Sequence, residues 1–189
     1  MSILHIGGVN MSFKVSWRIH AVCFIIAFLF CLIEQENIYN LFANMLFHNN
    51  MMSITGTEFI KLNISIVIIF SVIACTHELI HGFVYRIFGG KVRYGFKVLY
   101  AYVQEVSGNP LHRTKFLLVI LAPVTIISVA SIFISGNIGT IIFILNLLGS
   151  MGDLLMAFYL CKTNENSYII DKDYGFDVIE KVRNSYKQL

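Results

Sequence analysis

Charge is scarce in this chain. Its 189 residues include 14 lysines and arginines and 11 aspartates and glutamates, 13% in all, against 57% hydrophobic residues and a mean hydropathy of +0.72. A soluble domain needs a charged surface, so this balance excludes an ordinary soluble fold and points to a membrane protein. Cysteine is sparser still. Cys23, Cys31, Cys75 and Cys161 sit in or at the ends of apolar runs without C-x-x-C spacing, which excludes a disulfide framework or a zinc knuckle. No internal repeat or low-complexity segment is present. The net charge of +3 is no nucleic-acid footprint, and no nucleic-acid partner is expected.

What the chain has instead is apolar length. Crossing a hydrocarbon core takes about 20 helical residues, and the runs at about 15–33, 62–88, 116–134 and 138–160 approach or reach that length. The expectation is an all-α membrane protein of about four transmembrane helices. The first run ends in "CLIEQEN" with no small-residue cleavage pattern, so it reads as a retained helix and not as a signal peptide. Basic residues set the orientation. Lys14 and Arg18 precede the first run, Arg86 to Lys115 lie between the second and third, and Lys162 to Lys187 follow the fourth, while Lys61 alone falls on the other side. The positive-inside rule then makes both termini cytoplasmic in a multi-pass protein of the cell membrane, with a membrane domain over 1–160 and a small cytoplasmic tail over 161–189.

The connections carry their own periodicities. Ile38, Leu41, Phe42, Met45 and Leu46 share one helical face opposite Asn37, Asn40 and Asn44, which predicts a helix lying in the membrane interface. Over 91–106, Val92, Tyr94, Phe96, Val98, Tyr100 and Tyr102 alternate with polar positions, predicting a strand or hairpin at the cytoplasmic surface. Such a hairpin either rests on the membrane or offers an edge to an extended peptide. Pro123, in "LAP", removes a backbone hydrogen bond within the third run and is expected to kink it. Asp171 and Asp173 lack a calcium-loop pattern and read as a solvated turn.

One stretch breaks the apolar rule. "THELIHG" puts His77, Glu78 and His81 inside the second run, and ionisable groups at membrane depth mark functional sites by default. Histidines four apart lie on one face of a helix, one turn from each other, so both imidazoles can reach one metal ion. Glu78 points to the side, where it can hold and deprotonate a metal-bound water; this is the H-E-x-x-H arrangement of zinc peptidases. A catalytic zinc site needs a third protein ligand. The candidates are His20, His112 and Asp153, which lies in "NLLGSMGDLLMAFYL" with no basic neighbour in sequence. Depth favours the aspartate: His77 precedes Arg86, and Asp153 precedes Lys162, by the same nine residues, about 13 Å of helix. Gly149, Ser150 and Gly152 are small enough to admit a neighbouring helix closely. Asn146, two turns before Asp153, is a candidate substrate-backbone contact or a helix-packing group.

H-E-x-x-H closing one membrane helix, a strand-like segment, "LAP" in the next helix and "NxxGSxGD" in the last resemble the small bacterial zincin-type membrane peptidases, neighbours of the site-2 protease group. The resemblance runs from about residue 60 to the "DYGFDV" tail. It implies a membrane-embedded metallopeptidase with one zinc ion on His77, His81 and Asp153 and with Glu78 as catalytic base. The expected partners are the lipid bilayer and a membrane protein or peptide substrate, cleaved within or beside the membrane. In place of the NPDG or LDG pattern of site-2 proteases the chain has GSxGD. A different class remains open from the residues alone: a metal-binding membrane protein without hydrolysis, such as a transporter, a sensor or an immunity-type interaction protein. Two imidazoles and a carboxylate favour zinc over other metals.

Overall fold

The computed structural model describes residues 9–14, 17–38, 40–41, 56–97 and 100–180. In chain order the elements are β1 (Val9–Lys14), α1 (Trp17–Ile33), α2 (Gly56–Ile87), β2 (Val92–Lys97), β3 (Tyr100–Glu105), β4 (Leu111–His112), α3 (Arg113–Ile132), α4 (Asn137–Gly149), α5 (Met151–Cys161), β5 (Tyr168–Lys172) and β6 (Gly175–Ile179). The chain is mostly helical. Among the described residues α2 and α3 are long and apolar enough to cross a membrane, and α4 with α5 make a third span if a pair bent by 54° counts as one. The apolar part of α1, Ala21–Ile33, is shorter than a span, so among the described residues there are two or three candidate spans, and the expected four are not confirmed. Their outer faces are apolar and bare: Phe24, Val67, Ile68, Val72 and Phe133 remain exposed. Helices satisfy their own backbone, so a lipid-facing surface of this kind is stable only in an apolar solvent.

The largest departure from an all-α expectation is a four-stranded antiparallel sheet in the order β1-β6-β5-β4. It draws together the stretch before α1, the entry to α3 and the segment after α5, so the residues read as a polar tail include a hairpin in a sheet. Phe13 stacks on Phe176 at 5.1 Å between centroids, and Phe176 in turn meets Phe116 of α3 and Tyr159 of α5. Ile169, Val178, Val119 and Leu160 complete this core, which seals the sheet against the neighbouring ends of α2, α3 and α5. Local periodicity could not announce the sheet, because β1 finds its partner β6 at the other end of the chain.

The predicted hairpin forms as β2 and β3, with one change of register. Lys97 pairs with Tyr100 and Gly95 with Tyr102, so side chains directly opposite each other share a face. Val92, Tyr94 and Phe96 therefore lie with Ala101 and Val103, and Tyr102 occupies the opposite face. The antiparallel pairing breaks the alternation that the sequence carries straight through, and residues 98–99 lie outside the described residues. Residues 42–55 likewise lie outside the described residues, and with them most of the predicted interfacial helix; Ile38 and Leu41 pack toward Ile141 of α4.

Two carboxylates tie the hairpin down. Glu105, at the end of β3, accepts the backbone N–H groups of Lys91, Ser107 and Gly108 at 2.9–3.0 Å and so shapes the loop leading to β4. Asp171 of β5 accepts the Tyr85 hydroxyl at 3.1 Å and the Glu105 N–H at 3.0 Å, joining α2, β3 and the sheet. Burial outweighs these bonds and pushes the Asp171 carboxyl up from 3.8 to about 6. An acid whose pKa is raised on folding stabilises the fold fully below its unfolded value, and that contribution is lost as pH rises through the folded value. Asp171 should therefore weaken the fold between about pH 4 and 6, and Asp171→Asn should flatten that slope. Unfolding of the two chains in detergent across this range checks it; parallel pH profiles would contradict the assignment.

Candidate metal centre

The inward face of α2 is one narrow stripe. Ile73, His77, His81 and Tyr85, each four residues after the last, are buried, whereas most of the surrounding helix is exposed. The spacing of four keeps them on the side that meets α3 and the sheet. His77 and His81 are the polar members of this stripe at the level where α5 begins.

Asp153 arrives there because the last apolar run is broken. The helix ends at Gly149, Ser150 joins the two pieces, and α5 starts at Met151, which places Asp153 in the first turn of α5. Gly and Ser favour such a break: Gly weakens a helix interior, and the Ser150 hydroxyl turns back to the Asn146 carbonyl at 2.7 Å. A carboxylate in the first turn also faces the positive end of the helix dipole. The small residues thus serve a bend more than a close helix contact. Gly149 faces Phe70 of α2 at ordinary van der Waals distance, and Gly152 faces open space.

The three side chains converge. His77 Nε2 lies 2.7 Å from Asp153 Oδ2, His81 Nε2 lies 3.5 Å from the same oxygen, and the two Nε2 atoms are 3.1 Å apart. Ligand atoms held tetrahedrally at about 2.0–2.1 Å from zinc stand about 3.3 Å from one another, a separation these distances bracket. The side chains are only 9–13% exposed, and among the described residues no lysine or arginine pairs with Asp153. Two imidazoles and one carboxylate, inward-facing and otherwise uncompensated, are a donor set for a cation. His81 Nδ1 lies 2.8 Å from the Val119 carbonyl of α3. A carbonyl only accepts, so Nδ1 carries the proton and Nε2 is the nitrogen turned to the cluster.

A cavity of about 470 Å³ opens beside the cluster, lined by Glu78, His81, Asp153, residues 101–104 of β3 and the β5–β6 turn. Glu78 lies next to the histidine stripe on this wall, and its carboxylate interacts with the Val103 backbone. The other sequence candidates lie elsewhere. Asn146 is fully buried away from the cavity lining, donating to the Val124 carbonyl at 3.3 Å and to Ser128 Oγ at 3.2 Å; the bend at Ser150 breaks the common face it would share with Asp153. His112 accepts the Thr114 N–H as the N-cap of α3. His20 falls within α1, with its side chain outside the described residues. Sequence reasoning missed Tyr85 and Glu105, and it read Asp171 as part of a solvated turn, whereas Asp171 lies in β5 and accepts two hydrogen bonds. Only the continuation of the histidine spacing to residue 85 offered a signal.

Fold and cluster together define a helical, apolar protein with an inward-facing group of two histidines and an aspartate that could hold a metal ion. A family model described as "Putative zincin peptidase" matches residues 69–168, more than half of the chain, and the chain belongs to that family. No curated protein and no solved structure matches it significantly. The matched stretch contains the histidine pair, Glu78, the hairpin, α3 and Asp153.

Gly82 leaves room for the Tyr94 side chain of the hairpin beside this wall. A Cβ there would run into the Tyr94 hydroxyl, and the Tyr94 ring also carries the Arg86 guanidinium at 5.8 Å from its centroid. Gly82→Val should lift Tyr94 from α2 and loosen the hairpin, so that backbone amides of 92–97 and 100–105 exchange with deuterium about tenfold faster while those of α3 do not change. Unaltered hairpin protection would show that this contact does not hold it.

Proposed function

We propose that the protein is a membrane-embedded zinc metallopeptidase that hydrolyses peptide bonds of membrane or membrane-proximal proteins, with one zinc ion on His77, His81 and Asp153 and Glu78 as general base. The observation that carries this reading is the convergence of three ligand atoms within 4.8 Å of one another beside Glu78, in a chain of the zincin family. Zinc bound there supplies an activated water and polarises the scissile carbonyl. His81 is held by its Nδ1–H on Val119, so its Nε2 is fixed in direction before any metal arrives. Glu78, on the cavity wall, takes the proton of the attacking water and passes it to the departing amine.

The substrate must reach Glu78 as an extended chain, because a helical backbone hides its carbonyl carbons. β3 borders the cavity along residues 101–104 and supports a role in holding such a chain, as an edge strand does. A membrane-spanning substrate would unwind locally to enter. The sheet favours a common side for the segments at 9–14, 111–112 and 168–179, and Lys14, Arg113 and Lys172 accompany it. By the positive-inside rule that side is cytoplasmic and so are both termini, in a multi-pass protein of the cell membrane.

Glu78→Gln keeps the ligand set and removes the base. Fragments released from a membrane-protein fraction and counted by mass spectrometry should fall by about 100-fold or more, with zinc still bound. Cleavage at the wild-type rate in that variant would refute the mechanism.

A further inference from the structure

An α-helix satisfies the carbonyl of each residue with the N–H four positions later. For Val119 that position is Pro123, which has no N–H. Its pyrrolidine ring also crowds the same carbonyl and tilts it off the helix axis. Val119 and Pro123 are both buried, and a buried carbonyl is left without a partner only rarely. The His81 imidazole answers it, with Nδ1 at 2.8 Å from the Val119 oxygen.

We infer that Pro123 is a positioning residue for the metal centre: by withholding an N–H from α3 it leaves the Val119 carbonyl to His81 Nδ1–H, which turns His81 Nε2 toward His77 and Asp153. The zinc consequence rests on the proposed metal site; the hydrogen bond does not. Metal-bound histidines are oriented by a partner on the second ring nitrogen, and here that partner is a backbone carbonyl made available by a proline inside a spanning helix. The arrangement satisfies the buried oxygen and the imidazole at once. Ala at 123 would restore the N–H, draw the Val119 carbonyl back to the helix axis and make His81 share or lose it. Restoring a helix hydrogen bond should hold or raise thermal stability, so weakened metal binding in a chain that melts no earlier cannot be ascribed to damaged folding.

The test uses the full chain in lipid nanodiscs, wild type and Pro123→Ala. In the metal-free protein the ¹⁵N signals of His81 should show a protonated, hydrogen-bonded Nδ1 that shifts on substitution. Zinc affinity, measured by competition with a chelator, should fall about 10- to 100-fold, the usual effect of removing an orienting partner, with an unchanged or higher melting temperature. Unmoved His81 signals together with zinc affinity within twofold of wild type would overturn the inference. If the wild-type chain takes up no zinc while the His81 signals still shift, the positioning role stands and the metal-site reading fails. Should Pro123→Ala not fold, the wild-type spectrum decides alone: a His81 Nδ1 without its proton contradicts the inference.

Discussion

A carboxylate taken out of water needs positive charge nearby, and among the described residues Asp153 meets two imidazoles, at 2.7 and 3.5 Å. Desolvating a carboxylate costs several kcal/mol even after local relaxation, and removing a lone partner from such a pair costs about 3–5 kcal/mol. Much of the surrounding architecture keeps that group where it is. The stripe on α2 presents the imidazoles at one level, and the break at Ser150 turns Asp153 into the first turn of α5 to meet them. A cation in the middle would convert the pair of costs into a bound state, which is why the donor set is better explained by a metal than by packing.

The scaffold around the cluster uses backbone as much as side chains. Val119 offers a carbonyl, Gly82 offers the absence of a Cβ, and Glu105 gathers three N–H groups, so the hairpin and α3 are both held against α2 by groups that no apolar pattern records. The sheet closes the same end of the molecule. Its Phe13–Phe176 stack anchors the segment before α1 to the segment after α5, and Asp171 links that sheet to Tyr85, one turn beyond His81 on α2. The result is a cavity between the helices and the sheet, beside the histidines and Asp153.

How much of this was legible in the sequence depends on range. The histidine pair and Glu78 could be read directly, since a spacing of four is a local property of a helix. Asp153 was found by comparing its distance from Lys162 with that of His77 from Arg86, a depth argument that survives the bend because α5 itself is intact from Met151 to Cys161. The bend was written in "GSMG" but was read as a surface for helix approach; small residues license both, and only tertiary packing chooses. Asn146 lost its shared face with Asp153 for that reason. The sheet was invisible because β1 pairs with β6 across most of the chain and β4 has two residues, although β5 and β6 are a local hairpin. The alternation over 91–106 lost its common face because β2 and β3 pair antiparallel. Pro123 was noticed as a helix breaker, while the carbonyl it leaves behind became meaningful only once His81 was seen 2.8 Å away.

The central claim is that His77, His81 and Asp153 together hold a catalytic metal. Zinc content of the purified, detergent-solubilised chain, measured beside Asp153→Ala, tests it most directly. The account predicts about one zinc per wild-type chain and loss of most of it in the variant, with the helical circular dichroism retained. A wild-type chain that carries no zinc after incubation with excess metal, or an Asp153→Ala chain that binds it as tightly as wild type, would contradict the account.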